Sequence, residues 1–206
     1  MTDLFCEDNI HEHWIEKENY YLSLVKPQNL DLDLKLESFS ISDLEKMNGN
    51  EFFDFLYNEY FVWKFTAKNR LSTTRAQLVK HQENMLELQD IKDELLNFNL
   101  SNIEEGLKIA TRIKGLGPAG ASGLLAIIFP KYFGTVDQFV LKSLLTFDCF
   151  KTNPMLNKMN PDAITVKDAT ILISILREKS SMLNSVNNTT YWTPRKIDKI
   201  LWALGR

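Results

Sequence analysis

RIKGLGPAGASGLLAIIFPKYFGTVDQF, residues 112–139, is the stretch on which the reading of this chain turns. A Gly-x-Gly-Pro step leads into small residues, then an apolar run, then a lone aspartate. Ala110, Ile113, Gly115, Leu116, Gly117, Ala121, Leu124 and Leu125 set out helix, tight turn and helix over sixteen positions, within a hairpin at 107–130. Glycine permits positive φ and lets a ligand reach bare backbone N–H groups, so Gly115 and Gly117 are read as the turn. Leu116 between them is read as a plug into the core, and Pro118 as the first residue of the second helix. The N–H groups and positive dipole end of that helix favour an anion, which makes Lys114, Gly115, Leu116, Gly117, Ala119 and Gly120 candidate phosphate contacts. A packing turn between two helices is the competing reading.

Outward from the hairpin the pattern is helical. SNIEEGLKIATRI carries Ser101 followed three residues later by Glu104, which predicts a capping box. TVDQFVLKSLLTF predicts a helix with Asp137 near its N-cap, and TVKDATILISILREKSSML a long one. TPRKIDKILWAL has Thr193 as N-cap and Pro194 at the first helical position. Upstream, a capping signal at Ser42 leads into EFFDFLYNEYFVWKF, read as an aromatic core helix. A break follows, then a helix from Ser72 or Thr73 to about Asp90, then a short helix in IKDELLNF. Residues 1–40 read as an irregular acidic arm, with LDLDLKLESFSI alternating enough for a short strand. The chain is therefore read as all-α, an N-terminal arm at 1–40 followed by a helical domain at 41–206.

Charge is divided unevenly. Residues 1–60 hold 14 acidic and 4 basic side chains, a net of −10, while residues 61–206 hold 13 and 20, a net of +7. Between Leu107 and Val136 stand Lys108, Arg112, Lys114 and Lys131 with no acidic residue. A basic body of this kind is compatible with nucleic-acid backbone contacts, with a solvated surface and an acidic extension as the competing reading; together with the hairpin, double-stranded DNA is the expected partner. No apolar run reaches the roughly 20 residues of a membrane span, so no membrane partner is expected. The opening MTDLFCEDNIHEH has no apolar leader region. Cys6 and Cys149 lie far apart in sequence and offer no disulfide framework or four-cysteine cluster, so a reducing cytoplasm is the expectation.

The hairpin and the aspartate together resemble the central segment of the helix-hairpin-helix DNA glycosylases. The likeness is strong over about residues 109–140 (Asp137 lies eighteen positions after Ala119), weak over 52–206, and absent over 1–40. It implies a helix-hairpin-helix glycosylase-like helical fold and removal of a flipped, damaged or modified base. Asp137 would stabilise positive charge on the deoxyribose and help activate water. It also implies a structural Na or K ion held by the carbonyls of Thr111, Ile113 and Leu116, with no other cofactor. Three departures stand out. Ala119 occupies the position of the nucleophilic lysine of bifunctional members, which points to a monofunctional enzyme without lyase activity. The iron–sulfur loop is missing, and Gln138–Phe139 replace a histidine-containing helix start.

Weaker signals complete the reading. In VWKFTAKNRLSTTR, Trp63 and Phe65 are candidate base-pocket residues, and Asn69 and Arg70 candidate DNA contacts. Arg195 and Lys196 are candidate phosphate contacts at a second helix N-terminus. His11, Glu12 and His13, near Cys6, lack the spacing of a metalloprotease helix. Two other functions compete: a non-catalytic DNA-binding protein on the same scaffold, and an acidic arm that serves as a protein-partner site or covers the basic face as a DNA mimic.

Overall fold

The computed structural model describes residues 5–206, which form helices joined by turns, with no strand among them. The supposed arm is helical. Helix α1 spans His11–Leu24 and α2 spans Pro27–Glu37, with a proline opening the second. The leucine alternation that suggested a strand is overruled by burial: Asp33 and Leu36 are buried and Leu32 half-buried, a helical spacing along one face. Trp14 and Tyr21 of α1 are also buried, so this region is part of the body rather than an extension.

Helices α3 (Ile41–Lys46) and α4 (Gly49–Phe55) each begin with a capping box, Ser40 with Asp43 and Asn48 with Glu51. The cap at Ser40 replaces the one expected at Ser42. Helix α4 runs through a π turn at Leu56–Tyr60 into α5 (Phe61–Lys64), so the aromatic stretch is one rod with a local widening. Helix α6 (Lys68–Leu78) starts ahead of the expected Ser72 and is followed by a 3-10 turn at Val79–Glu83. Asn84 then accepts a hydrogen bond from the Glu87 N–H and restarts the chain as α7 (Met85–Asn97), which absorbs the segment read as a separate short helix.

Helices α8 (Ile103–Thr111) and α9 (Pro118–Ile128) form the hairpin. The cap of α8 is Asn102, which accepts from Glu105 N–H, one residue beyond the expected Ser101–Glu104 pair. Helix α9 is the axis of the molecule, buried from Gly120 to Ile128. Packed around it are α8, α11 (Val166–Val186) and α12 (Pro194–Leu204), and α10 (Gln138–Leu144) and α1 lie against α12. Thr193 caps α12 with Pro194 at its first position, as the sequence indicates.

Two cysteines expected to stand apart are joined. Cys6 and Cys149 form a disulfide with their Cα atoms 6.0 Å apart, because the segment before α1 folds back onto the loop after α10. Phe5 seals this contact, packing on Trp14, Phe147 and Phe150. Sequence separation carries no information on such a long-range closure. Among the described residues no helix is long and apolar enough to cross a membrane.

Candidate active site

The turn of the hairpin uses its two glycines differently. Gly115 has φ +98°, and a Cβ there would lie 2.6 Å from the Thr74 carbonyl oxygen and 3.0 Å from the Phe61 ring. Gly117 is extended, with φ −85° and ψ 179°, and a Cβ there would meet nothing within 4 Å. Positive φ was expected of both; only Gly115 needs it. Gly117 is the N-cap of α9 and has no side chain to satisfy the helix, so the first-turn N–H groups of Ala119 and Gly120 lack the partners that later residues have. Leu116 is buried as the plug. The Lys114 N–H donates to Nε2 of the buried His81, and Lys114 Nζ pairs with Glu87 at 2.9 Å. That pair is half-buried at the surface, where an ion pair contributes about 1 kcal/mol or less. The Ile113 carbonyl accepts from Leu116 N–H.

The segment Phe133–Val136 carries the chain from α9 to Asp137 and is held on three sides. Val136 N–H donates to Ser122 Oγ of α9 at 3.0 Å, and Thr135 N–H to Asp198 Oδ2 of α12 at 2.5 Å. At Gly134 a Cβ would lie 2.5 Å from Leu176 of α11 and 2.6 Å from the Pro194 carbonyl, so the chain passes through a gap that takes only backbone. It emerges at Asp137, whose Oδ1 accepts from Phe139 and Val140 N–H and caps α10. One oxygen is thereby committed. The other, Oδ2, lies 3.9 Å from Lys64 Nζ.

Asp137 lies in the wall of a cavity of about 470 Å³. This is within the span of small-molecule sites, about 300–1,000 Å³. Two residues of its wall pack on α9: a Cβ on Gly123 would touch the Lys64 stem at 3.5 Å, and one on Gly120 the Phe65 ring at 3.6 Å. Trp63 and Phe65, the expected base-pocket residues, line it together with Asp137. Trp63 is held by its indole N–H, which donates to Asp33 Oδ1 at 2.8 Å, and by the Arg195 guanidinium 5.1 Å from its ring. Tyr21, Phe139 and Trp202 add further aromatic wall.

The helical N-terminal region also lines the cavity, and it accounts for charges that sequence reading assigned elsewhere. Arg195, expected to reach a phosphate, is 4% exposed and turned inward, paired with Glu37 at 2.9 Å and Asp198 at 2.8 Å. Its neighbour Lys199 bonds the same Glu37 at 2.7 Å. Lys196 pairs with Glu18 at 3.2 Å over the ring of Tyr191. A buried guanidinium needs carboxylate partners, and Glu37 of α2 and Asp198 of α12 itself supply them. Burial opposes the Glu37 carboxylate, but Arg195 and Lys199 hold it below its ordinary range. Burial acts against the Arg195 charge too, and Asp198 and Glu37 outweigh it.

The remaining expected contacts are spread out. Asn69 and Arg70 open α6 at the surface, Arg70 over the Phe65 ring at 5.8 Å, while the adjacent Thr66 and Leu71 line the cavity itself. His13 bonds Asp8, His11 contacts Trp192, and Cys6 is in its disulfide, so the residues of the His-Glu-His stretch turn apart. Sequence reading missed Lys64, Asp33, Tyr21 and Asp198. A lysine inside the aromatic run VWKF was the one local sign among them.

No protein family matches the chain, and neither a curated protein nor a solved structure does.

Proposed function

We propose that this protein is a DNA glycosylase that removes a flipped, damaged or modified base from double-stranded DNA. The observation that carries the reading is Asp137, at the start of α10, in the wall of an aromatic-lined cavity whose residues Lys64 and Phe65 pack on the second helix of the hairpin. A carboxylate fixed by two N–H groups, with its second oxygen beside Lys64 in the wall of the cavity, suits stabilisation of an oxocarbenium-like sugar as the base departs. Aromatic walls suit stacking of an extruded base. The hairpin supports a grip on the phosphate backbone through Gly117, Ala119 and Gly120, with Lys114 adding charge and the Leu116 plug holding the turn; such contacts position the protein and read no sequence. The carbonyls of Thr111, Ile113 and Leu116 are assigned a supporting monovalent cation. Because Ala119 provides no amine, base loss is assigned to water activated by Asp137, leaving an abasic site.

Duplexes carrying a panel of modified bases, incubated with the protein and then treated with alkali, test this. Alkali-labile sites at the modified position are expected. Salt-sensitive duplex binding without base release from any of them would replace this reading with that of a non-catalytic binding protein.

A further inference from the structure

Two carboxylates besides Asp137 line the cavity, Asp33 and Asp198, and base removal as assigned above uses neither. Asp198, on α12, is only 2% exposed, and the protein engages both of its oxygens. Oδ2 accepts from the Thr135 N–H, two residues ahead of Asp137, and Oδ1 pairs with Arg195 Nη1 at 2.8 Å. A carboxylate engaged in this way is placed to hold the chain rather than to meet a ligand. The hold reaches across the molecule. Arg195 Nη1 also donates to Thr135 Oγ1 at 3.3 Å, while Nε and Nη2 donate to Glu37 Oε1 of α2 at 3.1 and 2.9 Å. A guanidinium is planar with its donors in fixed directions, so a carboxylate gripping one edge sets what the other edge can reach. Lys199 pairs with the second Glu37 oxygen at 2.7 Å and fixes that carboxylate in turn.

We propose that Asp198 is a positioning residue for Asp137, and that Glu37 of the N-terminal region acts on the reaction through it. The inference rests on the reading above for the role of Asp137. The path runs from Glu37 to Arg195, Asp198 and the Thr135 N–H, then along two residues of backbone to Asp137. On the other side Ser122 Oγ accepts from the Val136 N–H at 3.0 Å, so two successive amides ahead of Asp137 are tied to two different helices, α12 and α9. Rotation of either peptide would move Asp137 from the start of α10, where Oδ1 meets the Phe139 and Val140 N–H groups and Oδ2 lies beside Lys64. A misplacement of about 1 Å at a reacting group can cost about 100-fold in rate. Replacing a buried ion pair by apolar side chains is often neutral for stability, so this network is better explained by what it orders than by what it stabilises. Helix α2, outside the stretch that resembles a glycosylase, thereby belongs to the machinery that aligns the reacting group.

The test uses the full chain carrying Glu37→Gln, Asp198→Asn or, as control, Glu18→Gln, which loosens the same region from α12 at Lys196 instead. Amide hydrogen exchange is read residue by residue by NMR in the free protein. Faster exchange is expected at Thr135, Phe139 and Val140 in Glu37→Gln and Asp198→Asn, with α7 unchanged in both and all three sites unchanged in the control. Exchange unaltered at Phe139 and Val140, or raised equally in Glu18→Gln, would overturn the proposal. Base release from the best duplex substrate is expected to show kcat lowered about 10-fold to 100-fold with KM within about twofold. A rise in KM with kcat unchanged would mean a role in binding and overturn it. The double variant is expected to lose no more than Asp198→Asn alone, and additive losses would show independent roles and overturn it too. Glu37→Gln alters a side chain 31% in water, so its exchange and rate decide the matter if Asp198→Asn does not fold. The two readings fail separately. No base release from any duplex by the unaltered protein removes the glycosylase role and leaves the exchange result to decide the other, whereas release with unchanged exchange and rate in both variants removes the Asp198 role alone.

Discussion

Gly115 and Gly117 stand two residues apart in one turn, and their geometry requires opposite outcomes from the same substitution. Gly115→Ala places a methyl group in the left-handed region, at φ +98°, which costs roughly 1–3 kcal/mol for a residue other than glycine. The new Cβ would also lie 2.6 Å from the Thr74 carbonyl and 3.0 Å from Phe61, a ring with no exposure that has no room to retreat. Together these give a loss of about 3 kcal/mol, or roughly 6–12 °C in Tm for a domain of this size. Gly117→Ala adds its methyl to open space at an extended φ of −85°. There the lower entropy of the unfolded chain stabilises by about 0.4–1 kcal/mol, and the poorer N-cap offsets a similar amount, so Tm stays within a few degrees. Yet that methyl stands where a phosphate would approach the N–H groups opening α9. Loss of one charge-assisted hydrogen bond, about 1.5–3 kcal/mol, weakens duplex binding at least tenfold. Thermal unfolding by circular dichroism and duplex titration at fixed salt give both numbers. A Gly115→Ala protein as stable as the unaltered one would refute the account of the turn, and unchanged duplex affinity in Gly117→Ala would refute the phosphate grip.

Other expectations follow from the cavity and its walls. Glu37 carries a depressed pKa, so its stabilising effect is present above about pH 4.3 and is lost as pH falls through its lower folded value. Glu37→Gln should flatten that acid limb of the stability curve in pH-dependent denaturant melts. It should also cost about 2 kcal/mol near neutral pH, less than the 3–5 of a fully buried pair because 31% of the Glu37 side chain remains in water. Reduction of the Cys6–Cys149 bond opens a loop of sequence separation 143, for which the chain-entropy relation allows up to about 5 kcal/mol. A fall in the denaturant midpoint on reduction is expected, together with two thiols that react with a labelling reagent only after it.

What was legible in the sequence follows the range of the forces involved. Signals complete within a few residues were readable: the hairpin spacing, the Thr193–Pro194 start of α12 and the Asp137 cap all stand where the pattern put them. Where capping residues crowd together, the choice among neighbours failed by a residue or two, as at Ser40 for Ser42 and Asn102 for Ser101. The N-terminal region failed for a deeper reason. Its alternating leucines fit two periods, and only contact with α12 decides between them, through Glu37 reaching Arg195 and Lys199 across 158 and 162 positions of sequence. The same long-range pairing turned Arg195 inward. Trp63 and Phe65 were readable as cavity residues because aromatics ahead of a polar loop are a local signal. Lys64, between them, belongs to the same wall, but its meaning depends on Gly123 and Asp137, which only the fold brings to it.

The central claim is that Asp137 removes a base. Asparagine caps a helix nearly as well as aspartate, since both side chains accept from first-turn N–H groups, so Asp137→Asn removes the charge while leaving the start of α10 in place. The measurement is the rate of abasic-site formation on the best duplex substrate under single-turnover conditions, for the unaltered protein and for Asp137→Asn at matched thermal stability. A fall of about 100-fold to 1,000-fold is expected, the effect of losing one electrostatic stabiliser of a charged transition state. Equal rates for the two proteins would contradict it.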